Sequence, residues 1–540
     1  MKNLASHLTR LAERSDDRQQ ISLSIAGRGG VLDNTFMLPD LLSRAANVAF
    51  YLVREVSGDR IGLAFPAGIE FVESFLACVL AGKIAVPIPA PRQGPQSHRI
   101  ASVLAIADID HLVCLGKDKT QFESLIGHVH SITAIDEIDT GIKDIEFSSL
   151  PGFSLNSDEL IFLQYTSGST HEPKGVGISS ANILSNAKRA QRAYVMSDEH
   201  VVNWMPHFHD MGLVGGILIP LVLGMPSVQM SPMTFLQRPL DFLKLVQSLP
   251  AVVSGAPPFA LSMLMDRVPA AAAAKLDLCG WRRLFCGGET VPAGLLDQFH
   301  RHFAAAGIKR DAIFATYGMA EVTLYAAGGY NGKPNHGTVE AVEPCLLTGE
   351  DLSDLLIIDA ASGNPVREGQ TGEIALAGHS LGKVFGTASP SVGQSGVLVA
   401  GRSYVRTGDI GKIVGGNLYV TGRTKDILIV NGHNFMASEI EWFAASQSAS
   451  LNPLAAAAYQ VDETQACYLE IELRDKRVNS DSLSELADII EKLVAARFGV
   501  KLSQVTICPR GSLPRTSSGK IRRAAVKDAR SQAQRETSYA

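Results

Sequence analysis

Apolar and polar positions fall into blocks along most of the chain, and the blocks alternate between two periods. RIGLAF (60–65) and IAVPIP (84–89) are nearly unbroken apolar runs, whereas IEFVESFLACVLAGK (69–83) places Phe71, Phe75, Leu76 and Val79 on one helical face. Two short apolar runs around an amphipathic stretch predict a βαβ unit with parallel strands covered on both faces. The alternation recurs: VVNWMP is followed by a helical stretch, SVQMS by DFLKLVQSL, AVVSGA by a helix, and RRLFCGGE by GLLDQFHRHFAAAG and then IFATYG. The pattern predicts a large α/β domain.

After about residue 345 the style changes. LLIIDA, GEIALAG, YVRTGDIG and NLYVTGR are short strands broken by Gly turns, as in a small antiparallel barrel or sheet. Beyond Lys425, ILIVNG, ACYLEIEL, SLSELADIIEKLVAARFG and VTICP predict a compact α+β unit of ~100 residues. A chain of 540 residues must divide in any case, because single cores stop growing at roughly 250–300 residues. The expected division is 1–424, with a β-rich subdomain at about 345–424, and 425–540. VPAAAAAKL suits a helix, the first twenty residues have helical spacing, and the polar tail SQAQRETSYA reads as disordered.

Charge narrows the partners. Lys and Arg number 49 against 54 acidic residues, a net charge of -5, so no large basic field exists to attract nucleic acid or anionic lipid. The N-terminus lacks the apolar core of a signal peptide, and the longest apolar stretch, MGLVGGILIPLVLGM (211–225), falls short of the roughly 20 residues that span a bilayer. A cytoplasmic protein without membrane insertion is expected. The seven cysteines are scattered and never form a CxxC pair, which excludes a disulfide framework and a zinc site and leaves them as small buried apolar residues.

The sharpest chemical signal is LIFLQYTSGSTHEPKGV (160–176), where an apolar strand runs into Thr166, Ser167, Gly168, Ser169 and Thr170 and ends at Lys174. Glycine lets backbone amides approach an anion, hydroxyls add donors and lysine adds charge, a combination suited to polyphosphate. It is not a Walker loop, since G-x-x-x-x-G-K-[ST] is unmatched, which sets a P-loop phosphotransferase aside.

With TSGSTHEPKG the chain resembles the adenylate-forming superfamily, and further motifs follow in that family's order from Arg60 to Arg523. The resemblance implies that Thr166, Ser167, Gly168, Ser169, Thr170 and Lys174 hold the β,γ-phosphates of ATP; His171 departs from the family by standing where a second glycine is usual. In NWMPHFHDMGLVGG (203–216) it implies that His209 orders the acyl pocket near the reacting carboxylate, while His207 reads as structural; the pair lacks a third ligand for a metal. LFCGGE (284–289) makes Gly287, Gly288 and Glu289 adenine contacts by resemblance, although alone it is just a turn.

In ATYGMAEVTL (315–324) the resemblance puts Thr316, Tyr317 and Gly318 at the nucleotide, Tyr317 with its face on adenine, and makes Glu321 the Mg2+ ligand. A solitary carboxylate suffices for that ion, which takes its remaining ligands from phosphate and water. YVRTGDIG (404–411) supplies Asp409 to the ribose hydroxyls, and VTGRTKDILIVNGHN (420–434) supplies Arg423 as a second ribose contact and Lys425 as the hinge. LPRTSSGKIRR (513–523), by composition a basic tail, carries Lys520, which the resemblance brings across the domain gap to the substrate carboxylate and α-phosphate.

Within the superfamily, GDRIGLAFPAGIEFVESFLACVLAGKIAVPIPAPR (58–92), WMPHFHDMGL and TYGMAEVTLY are most similar to fatty acyl-AMP ligases. VVSGAPPFAL (252–261) is apolar where amino-acid-selecting relatives place an Asp, so a fatty or other apolar acid is expected. The expected acceptor is the phosphopantetheine thiol of an acyl carrier protein. The interval 325–372 is short for the extra segment with which such ligases discourage CoA, so an acyl-CoA synthetase is the alternative. A non-catalytic nucleotide-binding relative would have lost a catalytic group, yet Lys174, Glu321, Asp409, Arg423 and Lys520 are all present.

Overall fold

A computed structural model of the chain describes residues 3–14, 21–90, 96–125, 131–139, 145–166, 174–333, 341–385, 396–461, 464–474, 480–516 and 519–538. The apolar runs form two seven-stranded sheets. The first has the spatial order Ile313–Ala315, Trp281–Cys286, Val252–Ala256, His200–Asn203, Ser227–Met230, Ser22–Ala26, Leu32–Met37 and is parallel except at its last strand. The second runs Lys383–Phe385, Lys174–Ser179, Leu160–Thr166, Ile84–Pro89, Arg60–Phe65, His111–Cys114, Ser131–Ala134; it is parallel from Leu160–Thr166 onward and antiparallel at its other edge.

One hydrophobic core holds residues of both sheets, among them Leu23, Val201, Leu63 and Phe162, together with the helices Leu38–Glu55 and Ile69–Ala81. The single apolar face expected for 69–83 is therefore a correction. Every residue from Phe71 to Ala81 is buried, because this helix is enclosed on all sides. Its one charge there, Glu73, is neutralised by Arg44 of the neighbouring helix at 2.8 Å, as a buried carboxylate requires.

The Gly-punctuated strands form an antiparallel sheet in the order Cys345–Leu346, Asn417–Arg423, Arg402–Val414, Gly372–Leu376, Leu355–Ile358, with Gly396–Val399 beside Arg402–Val414. After the 3-10 turn Thr424–Asp426 come a hairpin, Ile427–Val430 with His433–Met436, and a mixed sheet of Leu451–Gln460, Cys467–Leu473 and Leu502–Cys508. These elements and the helices Ala437–Ser446 and Ser480–Phe498 enclose a core of their own, running from Leu428 to Val505. The fold is thus α/β, with a large sheet-and-helix part followed by a smaller C-terminal one.

Two other expectations change. The tail is helical from Arg523 through Ser538 rather than disordered, consistent with its Ala, Arg, Gln and Glu content. The alanine run gives only the short helix Ala270–Ala273. No helix among the described residues is long and apolar enough to cross a membrane. Five cysteines are buried, Cys508 is half-buried and Cys279 is exposed.

Candidate active site

The strands Leu160–Thr166 and Lys174–Ser179 form an antiparallel hairpin whose register sets Thr166 opposite Lys174. Ser167, Gly168, Ser169, Thr170 and His171 belong to 167–173, which lies outside the described residues, and Thr166 is described by its backbone alone. From the strand start, Lys174 Nζ donates to Glu321 Oε1 at 3.0 Å, across 147 residues of sequence. Only 12% and 11% of the two side chains are exposed, so the charges attract more strongly than a surface pair would. Glu321 sits in the 3-10 turn Ala320–Val322, and the next residue but one, Thr323, holds φ 73 while its hydroxyl donates to Ser380 O at 2.6 Å. A non-glycine residue at positive φ costs energy, and such strain clusters at functional sites.

A second cluster forms around Asp409, which is buried within the strand Arg402–Val414. Tyr317 Oη donates to Asp409 Oδ2 at 2.7 Å, and Arg423 Nε lies 2.8 Å from Oδ1. The neighbouring Asp409 raises the Arg423 guanidinium above its ordinary value, and burial together with the same carboxylate raises the Tyr317 phenol. Tyr317 therefore presents a neutral ring whose hydroxyl is already committed. Thr316 turns inward, bonding Tyr194 Oη at 2.8 Å and Ala327 O at 3.0 Å, while Gly318 is pressed so close to Leu324 O that a Cβ would lie 1.8 Å from it.

The third group meets at Gly288. Lys520 Nζ donates to the Gly288 carbonyl, joining the C-terminal part to the loop after strand Trp281–Cys286. Gly287 has no room for a side chain, since a Cβ would stand 2.5 Å from Thr316 O, and Gly288 holds φ +79 with Met211 Sδ beside it. Glu289 Oε1 has no hydrogen-bond partner among the described residues; burial raises its carboxyl, and the positive field of Lys520, Arg523 and Arg515 partly offsets that rise.

Asp210 caps Met211 N–H at 2.8 Å, and its carboxyl is raised by burial and by Glu321 and lowered by Lys520, so these charges share one field. Met211 opens an eight-residue π-helix, Met211–Leu218, a rare form found frequently at functional sites. Gly212 belongs to it because a Cβ there would strike Pro206 O at 2.1 Å. His209 starts this turn: its carbonyl accepts from Leu213 N–H at 2.8 Å. The structure thus gathers Lys174, Glu321 and Lys520 with the Gly288 loop, and Tyr317, Asp409 and Arg423 beside one another. Lys425 lies on the surface turn Thr424–Asp426. Asp210 and Met211 were not among the sequence candidates, although they stand next to His209 in the same motif.

His207 has the structural place read from sequence: it is buried with its ring 4.0 Å from that of Phe71. Burial pushes its imidazole down to about 3, so the native state stays neutral where the unfolded chain, titrating near 6.5, takes up a proton. Stability is therefore present above pH 6.5 and lost as pH falls toward 3, by about 2 kcal/mol at pH 5. Thermal unfolding from pH 7 to 5 should show a smaller drop in Tm for His207→Phe than for the wild type.

Residues 33–385 match the family described as AMP-binding enzyme. The chain belongs to that family. It is 29% identical to the medium-chain-fatty-acid acyl-carrier-protein ligase TtuA of Teredinibacter turnerae, covering 86% of this chain and 84% of that one. It is 30% identical to the long-chain-fatty-acid AMP ligase FadD26 of Mycobacterium marinum, covering 87% of each. Among solved structures it resembles one from work on fatty acyl-adenylate ligases of E. coli and L. pneumophila, with 26% identity, a TM-score of 0.83 and 99% of both chains covered. The resemblance to fatty acyl-AMP ligases read from the motifs and the α/β fold with its smaller C-terminal part both hold. The family uses ATP.

Proposed function

We propose that this protein is an AMP-forming fatty acyl-AMP ligase working in the cytoplasm, which activates an apolar carboxylic acid with ATP and passes the acyl group to the phosphopantetheine thiol of an acyl carrier protein. In the first step a carboxylate oxygen bonds to the α-phosphorus, the bond to the β-phosphate oxygen breaks, and pyrophosphate leaves. In the second the thiolate sulfur bonds to the acyl carbon, AMP leaves, and the thiol proton passes to solvent. Both reactants of the first step are anions, so preplaced positive charge lowers the barrier and no protein nucleophile is needed.

The observation that carries this reading is the contact of Lys520 with the Gly288 carbonyl, which brings an ammonium from the last segment close enough to act on Asp210, a carboxyl that Glu321 also influences. Lys520 and Lys174 would meet the phosphates, and the motif resemblance gives the same role to Thr166, Ser167, Gly168, Ser169 and Thr170. Asp409 and Arg423 would hold the ribose, Tyr317 would face adenine between Gly287, Gly288 and Gly318, and Glu289 Oε1, without a partner among the described residues, would accept from the adenine amine. His209 would border the acyl pocket. Glu321 suits magnesium: no cluster of three or more His, Cys, Asp or Glu capable of holding a metal occurs among the described residues, so the remaining ligands would be phosphate and water. The ion would supply positive charge to the triphosphate.

The lid would begin at Lys425, on the turn between the two parts, and rotation there would withdraw Lys520 and admit the thiol. The activities of the relatives TtuA and FadD26, fatty-acid ligation to acyl carrier protein and to AMP, support the substrate and acceptor. CoA is the second reading, favoured by the short interval 325–372. The test is acid-dependent exchange of labelled pyrophosphate into ATP across acids of graded length, followed by addition of holo carrier protein or CoA. Failure of every acid tried to yield AMP or an acyl adenylate would end both readings, and efficient CoA turnover would decide for the second.

A further inference from the structure

The segments flanking Lys520 are fastened at two points to buried carboxylates of the C-terminal part. On one side Arg515 Nη2 donates to Glu472 Oε2 at 2.8 Å and Nη1 to Gly519 O at 3.1 Å. Glu472 is fully buried, and its Oε1 accepts Leu513 N–H at 2.9 Å. On the other side Arg523 Nε and Nη2 donate to the two oxygens of Glu441, each at 2.6 Å, and Nη1 donates to Asp426 Oδ2 at 2.8 Å. Glu441 is itself fixed, taking Ala458 N–H at 2.8 Å. Between these anchors Thr516 N–H donates to Lys520 O at 2.8 Å, Lys520 N–H to Thr516 Oγ1 at 3.1 Å, and Arg522 N–H to Pro514 O at 2.9 Å. Gly519, at φ +90, lets this backbone pass Phe259, whose ring a Cβ would meet at 3.0 Å.

Simple neutralisation of buried charge would not need this geometry, since an apolar residue can often replace a buried ion pair without loss. The Arg523 fork instead spans two elements at once: the helix Ala437–Ser446, through Glu441, and the hinge turn Thr424–Asp426, through Asp426. Only a planar guanidinium can make the bidentate bond and reach a third oxygen; lysine offers one compact ammonium. Asp426 adjoins the hinge residue Lys425, and Arg523 stands three residues past Lys520. The same side chain therefore touches the turn where rotation would occur and the backbone that carries the reaching lysine.

We propose that Arg515 and Arg523 are positioning residues that hold the backbone presenting Lys520, and that Arg523 ties its aim to the hinge turn through Asp426. The proposal rests on the adenylate-forming reading above for its catalytic consequence. A displacement of about 1 Å in a catalytic group costs roughly 100-fold in rate. In the full-length protein Arg523→Lys should therefore lower kcat for pyrophosphate exchange roughly 100-fold, with the KM values for ATP and acid and the Tm near wild type. Transfer from supplied acyl adenylate to holo carrier protein should be spared, because that half-reaction does not use Lys520. Asp426→Asn, which leaves the Glu441 bonds intact, should lower exchange about tenfold, the worth of one charge-assisted hydrogen bond. Amide hydrogen exchange in peptides carrying Thr516, Lys520 and Arg522 should quicken in Arg523→Lys. Unaltered kcat, unaltered amide exchange, or an equal loss in both half-reactions with a fallen Tm would each overturn the proposal. Should the wild type form no adenylate with any acid, the functional reading fails, and the amide exchange still decides whether Arg523 holds this backbone.

Discussion

Replacing Lys520 with alanine should lower acid-dependent pyrophosphate exchange by roughly 100- to 1,000-fold, the range seen when one preorganised donor to a developing charge is removed. The fold should be untouched. The backbone around Lys520 is held by Thr516, Arg515 and Arg523, and its ammonium makes its contact with a backbone carbonyl, Gly288 O, in the other part of the molecule. Truncation therefore removes a charge from the site and no strut from either core, and Tm should stay within about a degree, as expected for a half-exposed position away from any core. Acyl transfer from supplied adenylate should survive, because on the proposed reading the negative charge that Lys520 would offset develops only while the α-phosphorus is attacked. Exchange at the wild-type rate would remove this lysine from the mechanism and, with it, the need for a lid that closes.

What sequence reading recovered follows from what periodicity reports. Parallel strands buried on both faces leave unbroken apolar runs, so RIGLAF, IAVPIP, AVVSGA and RRLFCG were visible as strands, and glycine turns marked the antiparallel sheet after residue 345. Periodicity describes a segment's own exposure and nothing of its partners. It could not show that the helix Ile69–Ala81 is enclosed from every side, because enclosure is a property of both sheets at once. The pairings of Lys174 with Glu321 and of Tyr317 with Asp409 were equally invisible, since they join residues 147 and 92 positions apart. The motif order supplied the names of those residues, but not that two of them neutralise each other. Arg523 was passed over for a related reason: in a row reading GKIRR its charge resembles any solvated tail, and only the folded chain reveals the carboxylates of Glu441 and Asp426 around it.

Glu321→Gln should raise the magnesium concentration needed for half-maximal exchange at least tenfold and lower the rate at saturating magnesium roughly 100-fold, at or beyond the upper end of the 10–100-fold effects seen when groups around a metal site are altered. Glutamine is chosen over alanine because the amide oxygen can still accept from Lys174 Nζ, so that ammonium keeps an acceptor in a place where only 12% of its side chain meets water. The change removes one negative charge and little else. On the proposed reading that charge would have two claims on it: Lys174, which holds Oε1 at 3.0 Å, and a divalent ion arriving with ATP. A doubly charged, strongly oxygen-seeking ion gains more from a full carboxylate than from an amide, whereas the lysine contact survives the exchange of one oxygen for another. The variant thus separates the two roles. A loss of magnesium affinity with an unchanged Tm assigns the carboxylate to the ion, and a magnesium dependence equal to the wild type's removes Glu321 as its ligand, leaving the metal to be held by the nucleotide.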